Sequence, residues 1–194
     1  MSLLNLFWLF ALPTKGWSHL MHAKLSMHRL YLLHVIPLSL IPSLFIYFAA
    51  GKYAGELLPI LSSPKLLLVA VILFIVQLVA VPVMALVIRQ LAEVAEISPA
   101  YRDAFTLAAV APTPIWLVPV CFLIIPNLLV NLVALALAMM ATVGFIYYGI
   151  PIVFRIKERG HAMLMFGAVL TAGLIALGFL MVSILVVLGS VQNL

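Results

Sequence analysis

Residues 98–114, SPAYRDAFTLAAVAPTP, bring charge, turn chemistry and helix-breaking residues together at the mouth of an apolar run. Ser98 is a helix-capping residue type, and Pro99 suits a first helical position, where the N–H that proline lacks would be unpaired anyway. Tyr101, Arg102 and Asp103 stand at the boundary, and from Ala104 the sequence is apolar except for Thr106 until Pro112-Thr113-Pro114. A proline inside such a run removes a donor and frees a carbonyl that hydrocarbon cannot hydrogen-bond. Another helix, the Thr113 hydroxyl or a water must serve the freed groups, so this face of the span is expected to be buried in protein.

Working outward, the whole chain has the same character. Of its 194 residues, 67% are hydrophobic and 8% charged, where soluble domains carry about 25% charged residues. The reading is all-α: a polytopic membrane protein with five transmembrane helices at about 31–50, 66–88, 104–125, 128–150 and 163–188. Residues 1–30 form an N-terminal interfacial and cytoplasmic segment ahead of a transmembrane domain over 31–194. Within the segment, SLLNLFWLFAL (2–12) is too short to span and is expected to lie in the interface as a short helix or to pack on the bundle. It lacks the basic start of a signal peptide, and Pro13 to Arg29 reads as a polar stretch.

Pro37 and Pro42 predict a kinked or locally unwound first span, and GKYAGELLPILSSP (51–64) reads as a loop. The second span is expected to run on into water through RQLAEVAE, where Arg89 and Glu93 share a face at four-residue spacing. Pro126-Asn127 leaves room only for a tight antiparallel hairpin between the third and fourth spans. Small residues at every fourth position, Ala134, Ala138 and Thr142 in the fourth span and Ala168, Ala172 and Ala176 in the fifth, are contact stripes within or between protomers.

The net charge of +5 lies in the short loops, so it speaks to topology rather than to nucleic acid, and no nucleic-acid partner is expected. Lys15, Lys24, Arg29, Arg89, Arg102, Arg155, Lys157 and Arg159 fall on one side, and only Lys52 and Lys65 on the other. That asymmetry predicts a cytoplasmic N-terminus and an external C-terminus.

Few residues carry chemistry. The single cysteine, Cys121, excludes an intrachain disulfide and a cysteine-cluster metal site. His19, His22, His28 and His34 invite a metal reading, but no carboxylate or thiol stands among them, so no metal and no other cofactor is expected. Glu93 and Glu96 read as partners of Arg89 before they read as an acid/base pair. Ser39 or Ser43 near His34 lacks an acidic third member, and no phosphate loop, zinc motif or nucleophile elbow is present, so no catalytic residue is assigned. The spans hold no Asp, Glu, Lys or Arg at depth, which argues against an ion-coupled pump. Gln77, Thr113, Asn131, Thr142 and Ser183 remain as polar links between helices.

Three segments taken together, FALPTKGW near the start, AYRDAFTLAAVAPTP in the centre and YYGIPIVFRIKERGHA after the fourth span, resemble the YIP (Ypt-interacting protein) domain family of five-span membrane proteins. The resemblance covers about residues 7 to 188 and is nearer to the short bacterial inner-membrane branch of that family. It implies five helices with a cytoplasmic N-terminus. In eukaryotes the family is tied to small GTPases through a long N-terminal region. Here about thirty residues precede the first span, which does not favour small-GTPase binding.

The expected function is non-enzymatic: binding of membrane partners or local organisation of lipid, with the bilayer, anionic headgroups, a membrane-protein partner or a second copy of the chain as partners. The candidate interaction residues are Tyr101, Arg102, Asp103, Pro112, Pro114, Arg155, Lys157 and Arg159. The alternative is a small transporter or lipid-handling protein whose passage is lined by the proline-broken first and third spans.

Overall fold

A computed structural model describes residues 8–23, 25–53, 62–125 and 127–192. It is helical, with no strand among the described residues, and five stretches are long and apolar enough to cross a membrane. Helix α1 is Pro13–His22. The first span joins α2 (Met27–Leu30), a π turn (Tyr31–Val35) and α3 (Ile36–Tyr53). The second is α4 (Ser63–Val94), and the third is α5 (Tyr101–Val110) followed by α6 (Thr113–Ile124). The fourth is α7 (Leu128–Val153) and the fifth α8 (Arg159–Gln192).

The second span is central and packs against the first, third and fifth, while the fourth packs against α1, both halves of the third and the fifth. One large core gathers near the basic end, from Leu9, Trp17 and Leu20 through Ala85, Ile88, Leu107 and Val110 to Ile150 and Met165. A smaller one, of Ile46, Val69, Leu73 and Leu188, closes the opposite end.

Several sequence expectations are met in detail. The first span is locally unwound, as a π turn in which the Ile36 N–H donates to the Tyr31 carbonyl. It falls in the turn directly before Pro37, where a donor is missing from the α-helical ladder. The second span runs on as helix to Val94, and Arg89 pairs with Glu93 at 2.9 Å. The third and fourth spans pack on one another, with Asn127 Oδ1 capping the Val130 N–H and Asn131 Nδ2 donating back to the Ile125 carbonyl at 2.8 Å. Ala138 is buried on the inner face of the fourth span, and Ala176 of the fifth stays exposed.

Others are corrected. The third span starts at Tyr101 with Ala100 as its cap, not at Ser98-Pro99, and Asp103 supplies the negative charge in its first turn. The basic loop after the fourth span is confined to 154–158, because helix resumes at Arg159. The largest correction is α1, which occupies the stretch read as polar. Gly16, Trp17 and Leu20 are buried on one of its faces, while Lys15, His22 and the other polar residues point outward. Of the expected interfacial helix over 2–12, residues 8–11 are helical and Leu9 is buried, whereas 1–7 lie outside the described residues. Of the loop expected at 51–64, residues 51–53 and 63–64 are helical, and 54–61 likewise lie outside the described residues.

Helix α1 seats by close approach. A Cβ at Gly149 would lie 2.8 Å from the Trp17 ring and 3.0 Å from Leu107, and one at Gly16 would lie 2.5 Å from the Leu9 backbone. Trp17, Leu107 and Gly149 belong to three separate sequence motifs that meet at this one point. Gly149→Val is expected to lift α1 from the fourth span and to lower stability by about 1–3 kcal/mol. Equilibrium unfolding in mixed micelles and trypsin cleavage at Lys15 measure this, and unchanged values in both would show that α1 is not seated on Gly149.

Candidate functional site

The break in the third span is repaired by neighbouring side chains. Pro114 has no N–H for the carbonyl four residues back, that of Val110, and the Thr113 hydroxyl donates to this carbonyl at 2.7 Å. With its proton so committed, the Thr113 oxygen accepts from His34 Nε2 of the first span at 2.9 Å. His34 is 4% exposed and Thr113 0%. The second span repeats the arrangement: Pro82 leaves the Leu78 carbonyl free, and the Tyr31 hydroxyl of the first span donates to it at 2.9 Å.

His34 and Tyr31 thus serve as hydrogen-bond donors that fix the first span to the second and third. Ser39 and Ser43 are held instead by Gln77, whose Nε2 donates to the Ser39 carbonyl and the Ser43 hydroxyl at 3.4 Å. The serines and the histidine are therefore committed to different neighbours. Among the described residues no three His, Cys, Asp or Glu side chains converge on a metal site. His22 Nδ1 bonds its own helix at the Ser18 carbonyl.

At the basic end, α1, the start of the first span, α5 and the loop after the fourth span enclose a small cavity of about 90 Å³. Leu20, Met21, Leu25 and Leu30 form its apolar wall, and Arg102, Asp103, Thr106 and Arg155 its polar one. Arg102 is half-buried, and its Nη2 donates to the Leu25 carbonyl at 2.9 Å, which pins the linker between α1 and the first span. Arg155 has φ 55°, the left-handed conformation that closes the fourth helix, with the Ile156 N–H donating to the Pro151 carbonyl. Glycine is usual at such a position, and a non-glycine residue there costs about 1–2 kcal/mol.

Neither arginine lies within ion-pair distance of a carboxylate among the described residues. Thr106, 8% exposed, donates its hydroxyl proton to the Arg102 carbonyl, so its oxygen retains acceptor capacity only. The cavity therefore offers two guanidinium groups against one carboxylate, that of Asp103.

The structure sorts the sequence candidates. Arg102, Asp103 and Arg155 come together in the cavity. Lys157 and Arg159 are exposed and do not line it. Tyr101 turns toward the second span, with its hydroxyl 3.4 Å from the Pro82 carbonyl. Pro114 is buried in the break, and Pro112 lines a separate cleft among the spans. Sequence reasoning missed Tyr31, His34 as a donor and the apolar wall from α1. The signal for the two donors was a hydroxyl or ring N–H in one span facing a proline in another, which a single chain does not pair up.

The proline repairs are testable by a double-mutant cycle. Thr113→Val leaves the Val110 carbonyl and His34 without their partner and is expected to cost about 1–3 kcal/mol. Pro114→Ala restores the missing N–H, so the double variant should regain at least half of that loss. Strict additivity of the two changes in unfolding free energy would refute the repair.

No curated protein and no solved structure matches this chain. The family model of the Yip1 domain matches residues 8–180, a range that takes in α1, the break and the basic cavity, and the chain belongs to the Yip1 domain family.

Proposed function

We propose that this Yip1-family protein is a non-enzymatic membrane component of a bacterial inner membrane that binds anionic phospholipid headgroups at its basic end and presents that face to a membrane-protein partner. The observation that carries this reading is the convergence of Arg102 and Arg155, from distant parts of the chain, on one cavity with no carboxylate in ion-pair distance of either among the described residues. Juxtamembrane arginine favours anionic headgroups by about 1 kcal/mol each, and a planar guanidinium suits phosphate geometry. Backbone strain at Arg155 supports the reading further, since strain held outside glycine is characteristic of working sites. With eight Lys and Arg on this side against two on the other, the cavity would face the cytoplasm. The exposed Lys157 and Arg159 extend the basic surface around it.

The test is the amount of phosphatidylglycerol retained per protein in nanodiscs of mixed zwitterionic and anionic lipid, read by native mass spectrometry. Arg102→Ala and Arg155→Ala should each lower its affinity about fivefold, and Lys157→Ala should change it less. Arg155→Gly separates site from scaffold: it should raise stability by about 1 kcal/mol by relieving the left-handed residue and still lose binding. Equal retention by all variants overturns the proposal. Orientation is checked in a Cys121→Ser background, where Lys157→Cys should react only from the cytoplasmic side and Gln192→Cys only from the outside.

A further inference from the structure

The walls of the basic cavity are graded from mouth to floor. Arg155 is exposed and stands at the mouth, Arg102 and Asp103 are half-buried, and Thr106, Leu20 and Leu30 are buried and make the floor. The outermost group is therefore a cation, and the innermost surface carries no charge. Arg102, Asp103 and Thr106 all come from the first two turns of α5. Thr106 follows Asp103 by three positions and Arg102 by four, spacings that bring side chains to one face of a helix.

Asp103 sets the terms for what this cavity can hold. It shares the lining with Arg102 and Arg155, yet among the described residues no Lys, Arg or His lies within ion-pair distance of it. The opposite charges stand apart across the space instead of closing on one another. At about 90 Å³ that space is several times the roughly 10–15 Å³ that one water needs, so a larger group can bridge it. A bare anion would satisfy the arginines but meet Asp103 as a like charge. Thr106 gives its proton to the Arg102 carbonyl, so it and the Asp103 carboxylate can only accept hydrogen bonds from a ligand. A group that suits all four side chains has acceptors at one end and donors at the other.

Resting on the reading that this end of the protein binds anionic phospholipid headgroups, we propose that the cavity selects a phosphodiester whose headgroup carries a hydroxyl, as glycerol does. The phosphate sits at the mouth on Arg155 and Arg102, and the headgroup enters first, with its hydroxyl donating to Asp103 and Thr106. The single negative charge of a phosphodiester equals the formal charge left by two arginines and one aspartate. A hydroxyl also suits the floor better than an ammonium does, because a charged group set against Leu20 and Leu30 would lose more hydration. Asp103 and Thr106 are thereby specificity residues, and the arginines supply the general attraction to phosphate.

The full chain is placed in phosphatidylcholine nanodiscs that hold the same low mole fraction of phosphatidylglycerol, phosphatidylmethanol or phosphatidylethanolamine, and retained lipid is counted by native mass spectrometry. Phosphatidylmethanol has the phosphodiester and charge of phosphatidylglycerol without a hydroxyl. Wild-type protein should retain phosphatidylglycerol roughly threefold to tenfold better than phosphatidylmethanol, with phosphatidylethanolamine below phosphatidylglycerol. Asp103→Ala should bring the ratio of the two anionic lipids close to one, lowering the first and raising the second, from which a like charge has been removed. Thr106→Val, of nearly the same shape, should lower the ratio about twofold. Glycerophosphoglycerol in solution, the same headgroup without acyl chains, should compete weakly, and full displacement by it at micromolar concentration would overturn the assignment to lipid. Equal retention of the two anionic lipids by wild-type protein, both above phosphatidylcholine, would overturn the hydroxyl selection and leave the headgroup reading standing. An unchanged ratio in Asp103→Ala, or phosphatidylethanolamine retained as well as phosphatidylglycerol, would overturn it too. If neither anionic lipid exceeds phosphatidylcholine, the headgroup reading falls and this inference with it.

Discussion

A carbonyl freed by proline inside a lipid bilayer must find a donor, and this fold is arranged around donors that reach such carbonyls. Leu78 and Val110 lie four residues ahead of Pro82 and Pro114, and each receives a proton from a side chain, Tyr31 in the one case and Thr113 in the other. Tyr31 belongs to the first span, and so does His34, which completes the second arrangement by donating to Thr113. Apolar contact alone gives little preference for one helix neighbour over another in hydrocarbon. The hydrogen bonds do, because sliding the first span along the second would leave the Leu78 carbonyl unpaired, and sliding it along the third would leave the buried His34 ring without its acceptor. The π turn that contains both Tyr31 and His34 is part of the same solution: it widens the helix just before Pro37 and sets these two side chains toward different partners.

Close packing fixes the remaining contacts. Gly149 lets the Trp17 ring lie against the fourth helix, and Leu107 meets the same spot from the third. A helix of mixed polarity, α1, is thereby bound at the end of the bundle with Leu9, Trp17 and Leu20 buried. Its placement creates the apolar wall of the basic cavity, and Arg102 ties down the linker that follows it. The cavity is a consequence of the seating of α1, and its chemistry is a consequence of which residues then close the third and fourth helices.

The features legible in the sequence were those set by one helix at a time. Hydropathy placed all five spans, because the length needed to cross a bilayer leaves little latitude. Arg89 and Glu93 were readable as a pair because helical spacing alone brings them together. The proline break and the role of Thr113 were readable because both partners lie in one segment. What could not be read depends on two segments at once. His34 looked like a stray histidine until Thr113 was placed beside it, and Tyr31 looked like a boundary aromatic until Leu78 was. Helix α1 was missed because its polar residues outnumber the three that matter, and a buried glycine gives no hydropathy signal. Lys157 and Arg159 were grouped with Arg155 because they are neighbours in sequence, but the left-handed turn at Arg155 separates it from them and directs it to the cavity.

Two helices end on this face of the bundle in the same unusual way. Glu96 closes the second span with φ 58° and Arg155 the fourth with φ 55°, and in each the following N–H reaches back five residues, Ile97 to the Ala92 carbonyl and Ile156 to that of Pro151. Both positions favour glycine for steric reasons, and both hold a charged residue instead. Neither helix gains stability from that choice, since the backbone bonds that terminate it would form as well around glycine. At Glu96 the side chain is exposed at the solvated end of the second helix. At Arg155, which is exposed as well, the side chain lines a cavity together with Arg102. The same backbone strain thus accompanies an exposed acidic side chain at one helix end and an exposed basic one at the other, and what sets Arg155 apart from Glu96 is neither strain nor burial but the cavity wall that it shares with Arg102.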